Sequence, residues 1–314
     1  MRGLILLFAL PAGGDEVVRA AGGNVEELRA VLGLDAAQVR DLRARLARAG
    51  TDYESVRTAM REKGAAAALE AARAWEKGVR DSVRGILADP QKPRYDDWLA
   101  FKRRLAGEYD KALFGIPPVT EMKLRIGLGA EAVRKMQRAS DDGLAKIQDR
   151  VLKMKDGRAE AEAIAKAVND LRRTTIEAMI ESVAGAERKK VKEYVKTWLQ
   201  TAEAKLAKAD RDRLVRVLKA LAVADGEQEK RLRARLAAVF LHQQELADLR
   251  RGMAKELLMA VLKAKPEADI WEAIDEHGAL IDVHVRRLSS LYEDVKADLP
   301  TKQVARLVSE GIIE

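Results

Sequence analysis

The 314-residue chain has no cysteine, only 7 prolines and just 4% aromatic residues. Without cysteine it can form no disulfide, thiolate nucleophile, iron–sulfur cluster or Cys-ligated zinc site. No apolar run approaches the roughly 18–20 residues that cross a bilayer, so the mature chain is expected to lack a transmembrane segment. Enzyme signatures are missing as well. There is no His-Glu-x-x-His, and the residues three before the histidines are Val239, Ile274 and Ile281, which excludes Glu-x-x-His. The glycines are dispersed and form neither a phosphate loop nor a dinucleotide fingerprint. Paired carboxylates such as Glu160/Glu162 and Asp96/Asp97 read as solvated helix faces. The chain is therefore expected to be non-enzymatic and to use no cofactor.

What is present is the composition of long helices. Hydrophobic residues make up 47% and charged residues 34%, with Ala, Leu, Arg, Lys and Glu prominent. Proline, which costs about 3 kcal/mol inside a helix, is confined to positions 11, 90, 93, 117, 118, 266 and 300. Apolar residues at spacings of three and four follow Leu246, Leu249, Met253, Leu257, Met259 and Leu262. A second stripe follows Ile270, Ile274, Ile281, Val285, Leu288, Leu291 and Val295. Both stripes predict intramolecular core, with Met253 and Met259 as core filling. The fold class is all-α, an elongated array of long antiparallel helical hairpins.

A five-residue pattern recurs along the chain: an apolar residue, a cap-like position, two residues, then a polar residue, followed by a basic amphipathic stretch. Opening copies begin at Leu34, Leu128 and Ala224, and closing copies at Leu87, Val183 and Leu299. The step from a closing copy to the next opening copy is 41 residues both times. Each copy predicts a helix start. Asp35 with Gln38, and Asp225 with Gln228, have the spacing of a capping box, and Leu34 and Leu128 stand where a hydrophobic staple packs. Gln91 and Gln303 occupy the final polar position of the closing copies Leu87–Gln91 and Leu299–Gln303. The register predicts three tandem units, 15–117, 118–212 and 213–314.

Residues 1–14 precede these units. Arg2, the apolar run Leu4–Leu10 and the small-residue tail Ala12-Gly13-Gly14 outline a short secretory signal, so the chain is expected to be exported, with cleavage near Ala12 to Gly14. A chain retaining that segment would instead be a cytoplasmic basic binding protein.

On the residues Leu34–Leu42, Leu87–Tyr95 and Leu299–Leu307, the chain resembles the LTxxQ superfamily, exported all-helical proteins of the Spy/CpxP chaperone type together with periplasmic heavy-metal sensors. The family pattern is Leu-Thr-Pro-Glu-Gln followed by Arg and an apolar helix; here Asp, Ala, Gly or Pro replaces the Thr. The resemblance implies hooked helical hairpins, a homodimer, a periplasmic location and binding of partly unfolded clients, or else stress or metal sensing. The third unit is most similar to the metal-sensor branch. A structural or scaffolding repeat protein that docks partner helices is the competing reading.

Two residue sets bear on binding. The histidines are His242, His277 and His284. With a hairpin turning near Pro266, His242 would face about position 290 and His284 about position 248, an offset of roughly 9 Å, so the three are expected not to converge and no metal site is expected. The positive charge is concentrated: the net charge is +8, and residues 187–236 hold 15 Lys or Arg against 8 Asp or Glu. Arg188, Lys189, Lys190, Lys192, Trp198, Arg231, Arg233 and Arg235 are the candidate contacts for acidic or partly unfolded protein clients. No RNA-binding aromatic motif or helix-turn-helix accompanies them, so nucleic acid is not the expected partner.

Overall fold

The computed structural model describes residues 14–222 and 226–314. Every regular element among them is a helix. The segment Met1–Gly14, expected from the sequence to be an export signal, falls outside these residues except for Gly14, and so does Asp225. The chain forms two compact units, residues 1–104 with 260–272, and residues 105–259 with 273–314.

The helices of the first unit are α1 (Gly14–Ala21), α2 (Val25–Leu32), α3 (Ala36–Asp52), α4 (Glu54–Lys63), α5 (Ala65–Arg84) and α6 (Gln91–Ala106), the last running just past its boundary. α2 starts in a complete capping box between Asn24 and Glu27, and α3 in one between Asp35 and Gln38. Tyr95 and Trp98 on α6 are buried and donate to the carbonyls of Ala21 (3.0 Å) and Gly22 (2.7 Å). Gly22 has φ +83°, a left-handed conformation that favours glycine, and a Cβ there would press on the tip of the Leu99 side chain.

The second unit continues with α7 (Glu108–Leu113), α8 (Val119–Ile126), α9 (Ala130–Asp156), α10 (Ala161–Glu181), α11 (Gly185–Trp198), α12 (Ala202–Lys205), α13 (Lys208–Leu221), α14 (Gly226–Leu262), α15 (Glu267–Asp298) and α16 (Thr301–Ser309). The middles of α14 and α15 belong to this unit and their facing ends to the first. The unit has two apolar clusters. One gathers Ile116, Met122, Met136, Ile147, Met179 and Val191 from α8 to α11; the other gathers Leu214, Leu232, Leu236, Phe240, Leu288 and Ile312 from α13 to the C-terminus. Lys123 joins Glu276 (2.6 Å), and Arg287 donates to the Ala112 carbonyl (2.7 Å).

Helices begin directly after the cap position of five motif copies, at Ala36, Ala130, Gly185, Gly226 and Thr301, and three residues after it in the copy at Leu87, at Gln91. The leading apolar residues Leu34, Leu87, Leu128, Val183 and Leu299 are all buried. Each opening copy also follows a shorter helix that ends on a left-handed residue, Gly33, Gly127 or Ala222.

Opening and closing copies meet in pairs. Gln38 donates to the Ile86 carbonyl (2.9 Å) and to Gln91 Oε1 (2.8 Å), while Gln91 donates to the carbonyls of Leu32 (3.2 Å) and Gly33 (3.3 Å). Likewise Gln228 donates to the Asp298 carbonyl (2.7 Å) and Gln303 to the Leu221 carbonyl (2.6 Å). These carbonyls are the orphan acceptors at helix C-termini. In the middle pair Ala132 and Glu187 occupy the glutamine positions. A carboxylate only accepts, and Glu187 takes the Gly129 amide N–H instead (3.0 Å).

The long hairpin departs from its sequence reading. α14 ends at Leu262, Ala264 is left-handed (φ 46°), and the Lys265 amide donates back to the Ala260 carbonyl (3.0 Å). The turn is therefore centred a few residues before Pro266, which lies ahead of α15. The apolar stripes hold only in part: Leu249, Leu288 and Val295 are buried as expected, and Leu246 and Leu291 pack against that core. Met259, Leu262 and Val285 are exposed, whereas His277, Leu280, Val283 and His284 are buried. Both helices carry apolar residues on more than one face, so spacing alone left the inward face open.

Candidate functional site

The sequence-derived basic residues are divided by the fold. Lys189, Lys190 and Trp198, on α11, line a cleft of about 830 Å³ in the second unit. Its other walls are Glu121, Arg125 and Ile126 of α8, Ala186, Glu193, Tyr194 and Thr197 of α11, Lys205 of α12 and Glu245 of α14. This volume is within the range of ligand-binding pockets, which combine apolar walls with a few placed polar groups. Arg188, by contrast, donates to the Val183 (2.7 Å) and Glu181 (3.0 Å) carbonyls and serves the α10–α11 junction. Arg233 pairs with Glu203 (2.9 Å), Arg235 pairs with Asp298, and Lys192 and Arg231 are exposed.

The charges of the cleft fall into two groups. At the inner end Arg125 bonds Glu121 (2.8 Å) and also pairs with Glu245. Lys205 donates to the Trp198 carbonyl (2.6 Å) with its ammonium 5.7 Å from the centre of the Trp198 ring. Burial lowers the Lys205 pKa, and Glu121 partly opposes that shift. Burial, then the Glu121 carboxylate, pushes the Tyr194 phenol up. At the rim Lys189 and Lys190 are exposed and form no ion pair with a described residue. Glu121, Arg125 and Glu245 come from segments outside the basic run, Lys205 lies within it, and none of the four carried a motif in the sequence.

Behind the cleft the histidines overturn their expected separation. His242 Nδ1 and His284 Nδ1 are 2.9 Å apart, because the hairpin turns earlier than Pro266 and brings 242 opposite 284. One imidazole donates and the other accepts, so at least the accepting ring is neutral. Burial is the main cause that lowers their pKa values, to about 3 for His242 and about 4 for His284. The imidazole of His284, Arg287 and Lys205 add to the effect at His242, and Arg125 and Arg287 at His284. His277 stands apart, its Nδ1 2.9 Å from the Ala273 carbonyl and its Nε2 3.8 Å from Glu256. Among the described residues no three His, Asp or Glu side chains are grouped to hold a metal ion.

A second polar cluster has a buried Lys111–Glu108 pair with an exposed Asp141 at its edge. Lys111 is fully buried and bonds Glu108 (3.2 Å) and Asp141 (2.8 Å). Burial raises the Glu108 pKa, and Lys111 opposes the shift. Through Asp141 this cluster joins α7 to α9. No helix among the described residues is long and apolar enough to cross a membrane. No protein-family model, curated protein or solved structure matches the chain.

Proposed function

We propose that this all-α protein is a non-enzymatic, ATP-independent binder of partly unfolded protein clients, similar to the exported Spy/CpxP-type chaperones. The observation that carries the reading is the reciprocal glutamine pairing of the motif copies. Gln38 with Gln91, and Gln228 with Gln303, donate to matching carbonyls at the partner motif. Such pairing gives the degenerate LTxxQ copies a common structural role, as expected of a divergent tandem member of that superfamily. The basic, apolar-walled cleft gives that framework a surface on which clients can be captured by charge and held by apolar contact. An exported location rests on the sequence of residues 1–14 and is tested by mass spectrometry of the native N-terminus, which is expected to begin near Gly13 to Asp15.

The functional test is light scattering of reduced lactalbumin with and without the protein. Suppression of aggregation at equimolar ratio is expected; an unchanged aggregation curve would remove the client-binding reading. The long His-bearing hairpin resembles the metal-sensor branch, but the cationic neighbours of the His242–His284 pair oppose a bound cation.

A further inference from the structure

We propose that the cleft between α8 and α11 binds an extended peptide segment in which one aromatic or large aliphatic side chain is flanked by carboxylates. The proposal rests on the client-binding reading and specifies the client chemistry.

The apolar half follows from the repeat. Counted from the closing apolar residues Leu87 and Val183, Trp98, Phe101 and Lys102 of α6 correspond to Tyr194, Thr197 and Trp198 of α11. Counted from Leu34 and Leu128, Glu27 corresponds to Glu121. In the first unit Trp98 and Phe101 are buried with ring centres 5.0 Å apart, and Lys102 bridges to Glu27 at 2.7 Å. The groove there is filled and tied shut by the chain's own side chains. In the second unit Thr197, in place of Phe101, is exposed and leaves out an aromatic ring. Trp198, in place of Lys102, cannot form the bridge, and Glu121 turns to Arg125. Trp198 lines the cleft wall, so what the second unit lacks is a large apolar side chain at the Phe101 position itself, which is what an incoming segment would supply.

The acidic half follows from charge. α11 carries five cations, Arg188, Lys189, Lys190, Lys192 and Lys196, against Glu187 and Glu193. Glu187 is engaged by the Gly129 amide. Lys189 and Lys190 stand at the rim, so carboxylates on either side of a seated apolar residue would reach them without displacing a native ion pair.

The test uses the full chain and a fluorescein-labelled peptide with one central Phe among Glu and Ser, read by fluorescence anisotropy. Saturable binding is expected. Replacing the peptide's Phe by Ser, or the protein's Lys189 and Lys190 together by Glu, should each weaken it about tenfold or more, and added salt should weaken it further. Thr197→Phe restores the filler of the first unit and should abolish binding while leaving the helical circular dichroism intact. Equal affinity for a Lys-flanked peptide, or unchanged binding by Thr197→Phe, would overturn the proposal. So would an oligodeoxynucleotide of equal charge that binds as tightly and ignores Thr197→Phe, since that would mark a general cationic surface. If wild type suppresses lactalbumin aggregation but does not bind the peptide, the cleft assignment fails and client binding stands. If the peptide binds as described and aggregation is unaffected, the ligand class stands and the chaperone reading fails.

Discussion

The groove between α2 and α6 and the cleft between α8 and α11 are built on the same register yet end differently. In the first, Trp98 and Phe101 fill the space and Glu27 bridges to Lys102. In the second, Tyr194 and Thr197 leave about 830 Å³ beside two unpaired lysines. The same helix pair can therefore be filled core or open cleft, depending on a few side chains. A large aromatic makes burial self-sufficient, and a threonine leaves apolar walls without a partner. The contrast extends one helix upstream. Val17 on α1 and Lys111 on α7 stand equally far before Leu34 and Leu128, and both are buried. The first unit uses an apolar contact there, whereas the second uses an ion cluster with Glu108 and Asp141.

The largest effect is expected where that contrast is strongest. Lys111→Met leaves Glu108 buried without its cation and should cost about 3–5 kcal/mol in urea unfolding, while Val17→Ala should cost less. Next, Phe101→Thr would convert the filled groove into the open type and should cost about 3 kcal/mol; a loss below 1 kcal/mol would show that Phe101 is not what closes it.

The acid response should distinguish the units, since all three histidines lie in the second. His242 and His284 have folded pKa values of about 3 and about 4, lowered from 6.5. The unfolded chain then binds more protons below pH 6.5, so stability is complete above that pH and declines as pH falls toward 4. The loss by pH 5 should be on the order of 2 kcal/mol per histidine. Hydrogen exchange at pH 5 should show it in α14 and α15, and His284→Phe should reduce it. The smallest effect concerns the motif pairs: Gln91→Ala removes hydrogen bonds to the Leu32 and Gly33 carbonyls and should cost about 1–2 kcal/mol, whereas Glu187→Ala in the middle pair should cost less.

Much of the fold was legible because it is local. Helix starts at Asp35-Ala36 and Pro300-Thr301 depend on caps and propensities within one turn, and those can be read from neighbouring residues. The basic face around Lys189 and Lys190 was legible for the same reason. The histidine pair was not, because its register depends on a left-handed Ala264, a conformation for which alanine gives no signal. The two-unit partition, with 260–272 in the first unit, likewise depends on packing far along the chain.

By itself the amino-acid order determined an all-helical fold without cysteine chemistry, with no helix among the described residues long and apolar enough to cross a membrane, and with helices beginning in six spaced places. Only the tertiary structure decided which glutamines meet, which lysines go unpaired and that Thr197 opens a cleft where Phe101 closes one. The physical reason is range: capping and periodicity act over a few residues, whereas burial and ion pairing depend on neighbours brought together from distant segments.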